Sequence, residues 1–550
     1  MRNFSVYALA ATVLAGLSAC GGSDATAPVG APPPPVTVTP EPPVPVTPPA
    51  VTPPPVTPPV TPEPPPVSPP PVTPPPVTPP PVTPPPSSLP PVLQVWNRCV
   101  APRTGLDGNN FPYPDVQGTL DDERNFVRLW IDETYLWYKE VPVDPHPEKY
   151  ATPVEYFAVL KTPLLTPSGR PKDRFHFTYT SAQWDNMSKG VTLGYGVSWA
   201  RNADGGVPRI WRATDVVPGS VADKAGLRRG DQLLRVDGDD FVNGSGAELV
   251  ARLNAGVFPT VAGATHRLQV ARGAAALDVS LTAGTVSGVP VQNVKVIDTP
   301  AGKTGYLVFN DHIALSESQL IAAINTFKQA GVVDLVLDMR YNGGGQLNIA
   351  SELAYMIAGP AATAGKTFEL TVGNDKSKPK TPMLFRSTAV GYAAPVQAVP
   401  GQVLPYLGLK RVSVLTGPGT CSASESLING LRGIDVEVNL IGEATCGKPY
   451  AFTAQPNCGI TYFAIQYQGV NDKGFGDFAD GFAPGCTVAD DFEHAQGDPQ
   501  EAVLAAALRY NASGVCTAPA PATARSATRA GAATPAMVPV RPAGKEISIR

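Results

Sequence analysis

A hydroxyl-rich turn and a lysine downstream of it are the residues whose types and spacing best suit nucleophilic chemistry. The turn at residues 419–425 reads Gly-Thr-Cys-Ser-Ala-Ser-Glu and joins the apolar run 412–415 to a helix-like segment at 425–431. Such a strand-to-helix turn presents a side chain beside the free N–H groups of a helix start. A serine in this turn is therefore a candidate nucleophile beside an oxyanion site.

A serine hydroxyl needs a base at neutral pH, and the nearest candidate downstream is Lys448. This lysine ends the segment Gly-Glu-Ala-Thr-Cys-Gly-Lys, which follows the apolar strand 438–441. A lysine accepts a proton only where burial lowers its pKa. Taken alone the pair is weak evidence, because most serine-rich turns and strand-end lysines are ordinary surface.

The composition excludes several classes of partner. The chain has 550 residues, 65 prolines and a net charge of −4, and its basic residues form no stripe, which argues against nucleic-acid binding. Its five histidines are dispersed and no two cysteines have C-x-x-C spacing, so we expect no metal and no other cofactor.

The N-terminal residues 1–20 have the pattern of an export signal. An apolar run at 6–14 is followed by Leu-Ser-Ala-Cys at 17–20, which resembles a bacterial lipoprotein signal. The resemblance implies lipidation of Cys20 and a membrane anchor that does not span the bilayer. Gly21 suits outer-membrane sorting, and exposure to the periplasm or to the exterior stays open. An ordinary cleaved secretory signal is the competing interpretation.

Composition also divides the rest of the chain. Residues 21–93 repeat Val-Thr-Pro-Pro-Pro, which favours a polyproline II stalk with nothing to bury. Residues 94–180 include a segment at 121–138 with aromatic residues at helical spacing, so we expect a small helical domain. The tail 517–550 is rich in Ala, Pro and Arg and is predicted to be disordered.

Residues 185–285 contain glycine loops beside strand-like runs. The runs Pro-Gly-Ser at 218–220, Ala-Gly-Leu at 225–227 and Gly-Asp at 230–231 resemble those of a PDZ domain. The resemblance implies a β-rich fold that adds a peptide as a strand, with a carboxylate-binding loop made of Gly194, Tyr195, Gly196 and Val197. Leu249, Val250 and Leu253 would lie on the groove helix. Whether the groove binds substrate tails or is a regulatory flap stays open.

Residues 290–516 alternate strands and helices, which predicts an α/β domain with its site at the strand ends. The strand 332–337 runs into three glycines at 343–345, whose N–H groups could approach a ligand closely. A phosphate cradle would need a Gly-Lys-Ser/Thr sequence that is missing, so a donor loop for an oxyanion fits better.

The order of these segments resembles that of the carboxyl-terminal processing peptidases, also called tail-specific proteases. The pattern appears as Asp338-x-Arg340-x-Asn342-x-Gly344-Gly345, then Ser-Ala-Ser-Glu at 422–425, then Gly-Glu-x-x-x-Gly-Lys at 442–448, with an echo in Gly-Phe-Ala-Pro at 481–484. The resemblance implies a Ser/Lys dyad in which Ser422 is the nucleophile and Lys448 the base. Glu425 would orient the site, and the N–H groups of Gly344 and Ala423 would form the oxyanion hole.

Some alternatives stay open. Ser424 is the second candidate nucleophile, with helix capping as its structural role. A Ser-His-Asp arrangement would use His312, which we expect to be an ordinary solvated loop residue. Many family members have a glutamine where this chain has Phe452, so a polar contact is missing there or supplied elsewhere.

Six cysteines remain besides Cys20, an even number that suggests disulfides in an exported chain. They allow 15 pairings. We favour Cys421 with Cys446, which would hold the serine turn against the lysine segment, together with Cys458–Cys486 and Cys99–Cys516.

The sequence therefore predicts a lipid-anchored serine endopeptidase of the cell envelope that acts on protein substrates near their C-terminal tails. The alternative is a catalytically silent scaffold that binds peptides through the PDZ-like groove.

Overall fold

The structure is a computed structural model that describes residues 91–107, 110–143, 146–392, 397–516 and 537–540. The predicted signal with Cys20, the predicted stalk up to residue 90 and most of the predicted tail lie outside these residues. Within the described ranges, no helix combines the length and the apolar character needed to cross a membrane.

The segment 91–188 forms helices whose core is completed by a distant part of the chain. Its elements are α1 Pro91–Val95, β1 Arg98–Cys99, β2 Val116–Gln117, α2 Leu120–Thr134, α3 Pro153–Val159, β3 Phe177–Thr180 and α4 Ser181–Ser188, with 3₁₀ turns at Tyr138–Glu140 and Pro147–Lys149. Phe126, Trp130 and Phe157 pack around Tyr462, and β3 pairs with Ile460–Phe463. The core of this segment therefore extends beyond the predicted boundary at 180, since it includes residues between 450 and 465.

The PDZ-like segment is an antiparallel sheet covered by one long helix. Its elements are β4 Val191–Gly194, β5 Val197–Asn202, β6 Trp211–Val216, α5 Val221–Lys224, β7 Gln232–Val236, β8 Asp239–Asp240, α6 Ala247–Val257, β9 Thr265–Arg272, β10 Ala275–Thr282 and β11 Gly284–Ser287. The strand order is β10-β9-β7-β6-β5, and β4 pairs with β11. On α6, Leu253 is buried in the core, and Leu249 and Val250 pack at its edge.

The remaining elements build the predicted α/β domain. They are β12 Val291–Thr299, β13 Gly302–Phe309, α7 Ala314–Ala330, β14 Asp334–Asp338, α8 Leu347–Ala358, α9 Pro360–Thr363, β15 Thr367–Gly373, β16 Met383–Leu384, β17 Arg411–Thr416, α10 Ala423–Gly433, β18 Glu437–Gly442, β19 Tyr450–Ala451, β20 Gln455–Asn457, β21 Ile460–Phe463, β22 Tyr467–Val470, β23 Cys486–Thr487, α11 Ala502–Ser513 and β24 Met537–Val540.

A six-stranded sheet in the order β12-β13-β14-β17-β18-β23 is the centre of this domain. All neighbours are parallel except β12 and β13. Residues of α7, α8 and α10 form a core on one face, and residues of α11 form a core on the other. Burial on both faces explains the apolar residues at 335–337 in β14 and at 412, 414 and 415 in β17. Parallel strands also bring the carboxyl ends of β14, β17 and β18 to one edge.

Three disulfides are present, and one of the three predicted pairs is confirmed. Cys421 is bonded to Cys446, whereas the other bonds are Cys99–Cys458 and Cys486–Cys516. The predicted pairs Cys458–Cys486 and Cys99–Cys516 are wrong. The helical segment docks on the hairpin β20–β21, which brings Cys99 to Cys458, and α11 packs back on the sheet, which brings Cys516 to Cys486.

The predicted tail also departs from expectation. Met537–Val540 forms β24, which pairs antiparallel with β5 at the outer edge of the PDZ-like sheet. The prediction of disorder is therefore wrong for these four residues. An unpaired strand edge supplies backbone partners that the tail's own composition does not reveal.

Candidate active site

The residues of the site follow three strands that are neighbours in the sheet. The loop after β14 carries the glycines 343–345, the turn after β17 carries Ser422, and the segment after β18 ends at Lys448. Because β14, β17 and β18 are parallel neighbours, these three segments meet at one edge of the sheet, where open α/β sheets bind ligands.

Ser422 stands in a strained backbone conformation immediately before α10. Its φ is 57° and its ψ is −119°, a region that residues with a Cβ seldom adopt. The turn is held by Thr420, whose hydroxyl donates to Met339 O at 2.8 Å, and by the Cys421 N–H, which donates to Asn342 O at 3.0 Å. The geometry is that of a sharp turn that presents a nucleophile at a helix start.

Glu425 joins the serine turn to the lysine segment. Its Oε2 accepts the backbone N–H groups of both Ser422 and Lys448, at 3.0 and 2.8 Å. Its Oε1 accepts the Gly447 N–H at 2.8 Å and the Thr445 hydroxyl at 2.6 Å. Burial raises the pKa of Glu425, and these four hydrogen bonds oppose the rise. One carboxylate thus fixes two segments that are separate in sequence.

Further links reinforce the same junction. The Cys446 N–H donates to Thr420 O at 2.9 Å, and Cys446 is bonded to Cys421 with a Cα–Cα distance of 5.2 Å. At Gly447 φ is +86°, and a methyl group there would lie 2.3 Å from Ala479 O, so the site requires glycine. These contacts explain the Gly-Lys pattern of the lysine segment.

Lys448 is nearly buried, with 8% of its surface exposed. Its Nζ lies 4.0 Å from the centre of the Phe452 ring and 5.2 Å from that of Phe175. Phe452, where the resemblance implies a glutamine, is therefore in contact with the candidate base.

The glycine loop approaches the serine turn closely. At Gly344 φ is +95°, and a methyl group there would lie 2.7 Å from both Ser422 Cβ and Cys421 O. Only glycine permits this approach. The loop is held by Asn342, whose Oδ1 accepts the Gly344 N–H at 2.9 Å and whose Nδ2 donates to Phe309 O at 2.9 Å.

The two proposed oxyanion donors differ in this structure. The Ala423 N–H, at the start of α10, has no hydrogen-bond acceptor among the described residues. The Gly344 N–H is already donated to Asn342, so its use by an oxyanion requires that this bond be exchanged. The Ala423 N–H is thus the better placed of the two.

The structure separates the leading candidates from the alternatives. Ser424 is buried and its hydroxyl donates to Asn342 O at 3.1 Å, so it ties α10 to the glycine loop and does not cap the helix. His312 is also fully buried, against the expectation of a solvated loop residue. Its Nδ1 lies 3.0 Å from Asn342 Oδ1, and burial lowers the pKa of His312 to about 4.

A buried ion network lies beneath the glycine loop. The Arg340 guanidinium donates to Asp338, Asp490 and Glu501 at 2.7–2.8 Å. At Asp338 burial favours a higher pKa, but the Arg340 charge prevails and holds the pKa below its ordinary value. Arg229 of the PDZ-like segment donates to Asp490 at 2.6 Å, so the network also fixes that segment to the α/β domain. These contacts assign a positioning role to the Asp-x-Arg pattern.

The predicted carboxylate-binding loop lies between β4 and β5. Tyr195 points inward and donates its hydroxyl to Gly256 O at 3.0 Å, and the Gly196 carbonyl accepts the Val217 N–H at 2.8 Å. Gly194 ends β4 and Val197 begins β5. The loop therefore leads directly into the strand edge that Met537–Val540 covers.

Two residues of the site received no role from the sequence. Asn342 stands within the Asp-x-Arg-x-Asn pattern, and that position was the only sign of its role. Thr445 had no sign at all: its hydroxyl donates to Glu425, and it also accepts the Phe482 N–H at 2.7 Å. The Gly-Phe-Ala-Pro motif at 481–484 thus helps to hold the lysine segment in place.

Comparison with known proteins agrees with this arrangement. Residues 303–466 match the model of peptidase family S41, residues 212–256 match a PDZ domain, and residues 122–179 match the peptidase S41 N-terminal domain. A structure of a candidate S41 protease from Bacteroides fragilis superposes with a TM-score of 0.54 at 23% identity, covering 73% of this chain and 98% of that one.

Curated relatives point in the same direction. The chain is 29% identical over 233 residues to a carboxyl-terminal-processing protease of Picosynechococcus sp., which is 42% of this chain and 49% of the relative. It is 25% identical over 334 residues to the chloroplastic carboxyl-terminal-processing peptidase 1 of Arabidopsis thaliana, which is 60% of this chain and 61% of the relative. The matches thus span about half to three fifths of these relatives.

Proposed function

The chain belongs to the carboxyl-terminal processing peptidases of family S41, with a PDZ domain, and from that premise we propose that it is a serine endopeptidase with a Ser422/Lys448 dyad. The observation that carries the proposal is the shared Glu425 carboxylate. It holds the strained Ser422 turn and the Lys448 segment together at the sheet edge.

The chemistry follows from this arrangement. Neutral Lys448 takes the proton of Ser422 as Oγ attacks the carbonyl carbon of a peptide bond. The Ala423 N–H stabilises the negative charge on the carbonyl oxygen. Lys448 then donates the proton to the leaving amine, which leaves an ester on Ser422. Water, deprotonated by Lys448, attacks the ester, and Lys448 returns the proton to Ser422 Oγ as the new C-terminus is released.

An assay with an unfolded protein substrate tests the dyad. We expect Ser422→Ala and Lys448→Ala each to lower kcat by at least about 1,000-fold, because no neighbouring side chain takes over the role of the nucleophile or of the base. Ser424→Ala is the matched control, since its hydroxyl only ties α10 to Asn342, and it should retain most activity. Equal cleavage by all proteins would refute the dyad. If the protein without substitutions also fails to cleave the substrate, the alternative of a peptide-binding scaffold is favoured.

We further propose that Cys20 carries a lipid that anchors the protein in the bacterial cell envelope. The proposal is supported by the pattern of residues 1–20. Growth with radioactive palmitate should label the unchanged chain and leave Cys20→Ala unlabelled. Label in both proteins would rule out this anchor.

A further inference from the structure

The outer edge of the PDZ sheet is covered by a segment of the chain's own tail. In β24 the register pairs Met537 with Asn202, Pro539 with Ala200 and Val540 with Trp199. β24 runs antiparallel to β5, so it runs towards the loop at residues 194–197. A peptide whose C-terminus is captured by that loop would enter in the same direction. The tail therefore occupies the edge in the orientation of a ligand.

Two side chains of β24 are buried in this position. Met537 and Val540 are each only 9% exposed, and Val540 belongs to the apolar core that includes Trp199 and Leu253. Burial of these apolar side chains stabilises the paired strand. Val540 thus packs into the apolar core of the PDZ domain beside Trp199, and β24 is an integral strand of the sheet.

Pro539 is compatible with this strand. A proline is accepted on an edge strand when its missing N–H falls on a residue that does not donate to the ladder. Hydrogen-bonded positions alternate along an antiparallel strand, so a strand with one proline can still donate from the residues on either side of it. The proline in Met-Val-Pro-Val is therefore compatible with the pairing of β24 along β5.

The other side of β24 faces the serine turn. A methyl group at Gly419 would lie 2.8 Å from Pro539 Cγ, and Gly419 is three residues before Ser422. Met537 packs in a small cluster with Ala200 and Phe492. The tail strand thus touches the PDZ domain and the turn that carries the candidate nucleophile at once.

We propose that Met537–Val540 is an internal ligand of the PDZ groove that competes with substrate tails and restrains the peptidase. The groove takes extended apolar peptides with a β-branched residue opposite Trp199. The activity part of the proposal rests on the proposed function, whereas the occupancy part does not. Because the tail is tethered, its effective concentration is of the order of mM, enough to exclude weakly binding peptides.

Occupancy is tested by the binding of a fluorescent peptide, Ala-Met-Val-Pro-Val, to full-length protein carrying Ser422→Ala. We expect the further change Val540→Asp to strengthen peptide binding by about tenfold, because a charge cannot be buried in the groove and the tail strand leaves it. Val538→Thr, which keeps a β-branched residue at a half-buried position, is the matched control and should bind like the parent. Should Val540→Asp not fold by circular dichroism, Met537→Asp gives the same comparison.

Equal binding to the parent and to the released variants would overturn the proposal, whether or not the chain cleaves proteins. Restraint is tested separately with Ser422 intact. Val540→Asp should then cleave an unfolded substrate several-fold faster than the unchanged chain, and added peptide should reverse the gain. If Val540→Asp binds the peptide more tightly but cleaves the substrate no faster, the tail does not restrain the peptidase. If none of the proteins cleaves the substrate, the proposed peptidase function is refuted and the binding result still stands.

Discussion

The two sides of the site are held by different kinds of side chain. On the serine–lysine side, the Glu425 carboxylate accepts three backbone N–H groups and one hydroxyl. On the glycine-loop side, the Asn342 amide accepts the Gly344 N–H and donates to Phe309 O. A carboxylate offers only acceptors, whereas an amide offers both. Each side therefore carries the group that matches the backbone atoms it must satisfy.

The difference in charge has a consequence for each side. A buried carboxylate is expensive and is kept only where several donors compensate for its desolvation, as they do at Glu425. The neutral Asn342 has no such cost and lies against His312, which burial keeps neutral. The serine–lysine side should therefore depend most on one residue, and the glycine-loop side should tolerate change better.

Replacement of Glu425 should have the largest effect. Glu425→Ala leaves three backbone N–H groups without their acceptor, at about 1–3 kcal/mol each, so we expect a loss of about 4 kcal/mol in unfolding free energy and of more than about 100-fold in kcat/KM. Denaturant unfolding and peptide hydrolysis measure the two. Glu352→Ala is the control, since Glu352 is equally buried on α8 but bonds the Val390 N–H away from the site. If both variants lose activity equally, burial rather than the shared junction is responsible.

The contrast between the two sides also marks what the sequence could predict. The three strand-end segments, the α/β fold and the family were predicted because each depends on a short local pattern. The sharing of Glu425 by Ser422 and Lys448 was not, since a first-turn glutamate suits any helix start. Likewise, only the disulfide Cys421–Cys446 was predicted correctly, because it joins the two motif segments of the site, whereas the other two depend on how the helical segment and α11 dock.

The tail strand shows the same limit more sharply. Met537–Val540 lies in an Ala- and Pro-rich segment without apolar periodicity, so composition predicted disorder. Its strand conformation comes from the free edge of β5, which lies more than 300 residues away in sequence. A segment whose own sequence does not predict a strand can form one when the free edge of a sheet is available to pair with it.

Replacement of Asn342 should have an intermediate effect. Asn342→Ala removes the acceptor of the Gly344 N–H and the donor to Phe309 O, so we expect a loss of about 2 kcal/mol in stability and of about tenfold in kcat with KM unchanged. Asn342→Asp keeps the acceptor and should restore part of kcat. A loss as large as that of Glu425→Ala would contradict the contrast between the two sides.

The smallest expected effect is on the pH dependence of the unfolding free energy, and it has opposite signs for the two sides of the site. His312 has a depressed pKa of about 4 in the folded protein, so the unfolded chain binds its proton first as the pH falls below about 6.5. His312 therefore contributes stability that is complete above that pH and is lost on acidification, by about 1–2 kcal/mol between pH 7 and 5. Glu425, whose pKa is raised, acts in the opposite direction, because its protonation favours the folded state. Urea unfolding at a series of pH values should show a shallower acid loss in His312→Gln than in the unchanged chain. Parallel curves for the two proteins would mean that His312 is not kept neutral by its burial.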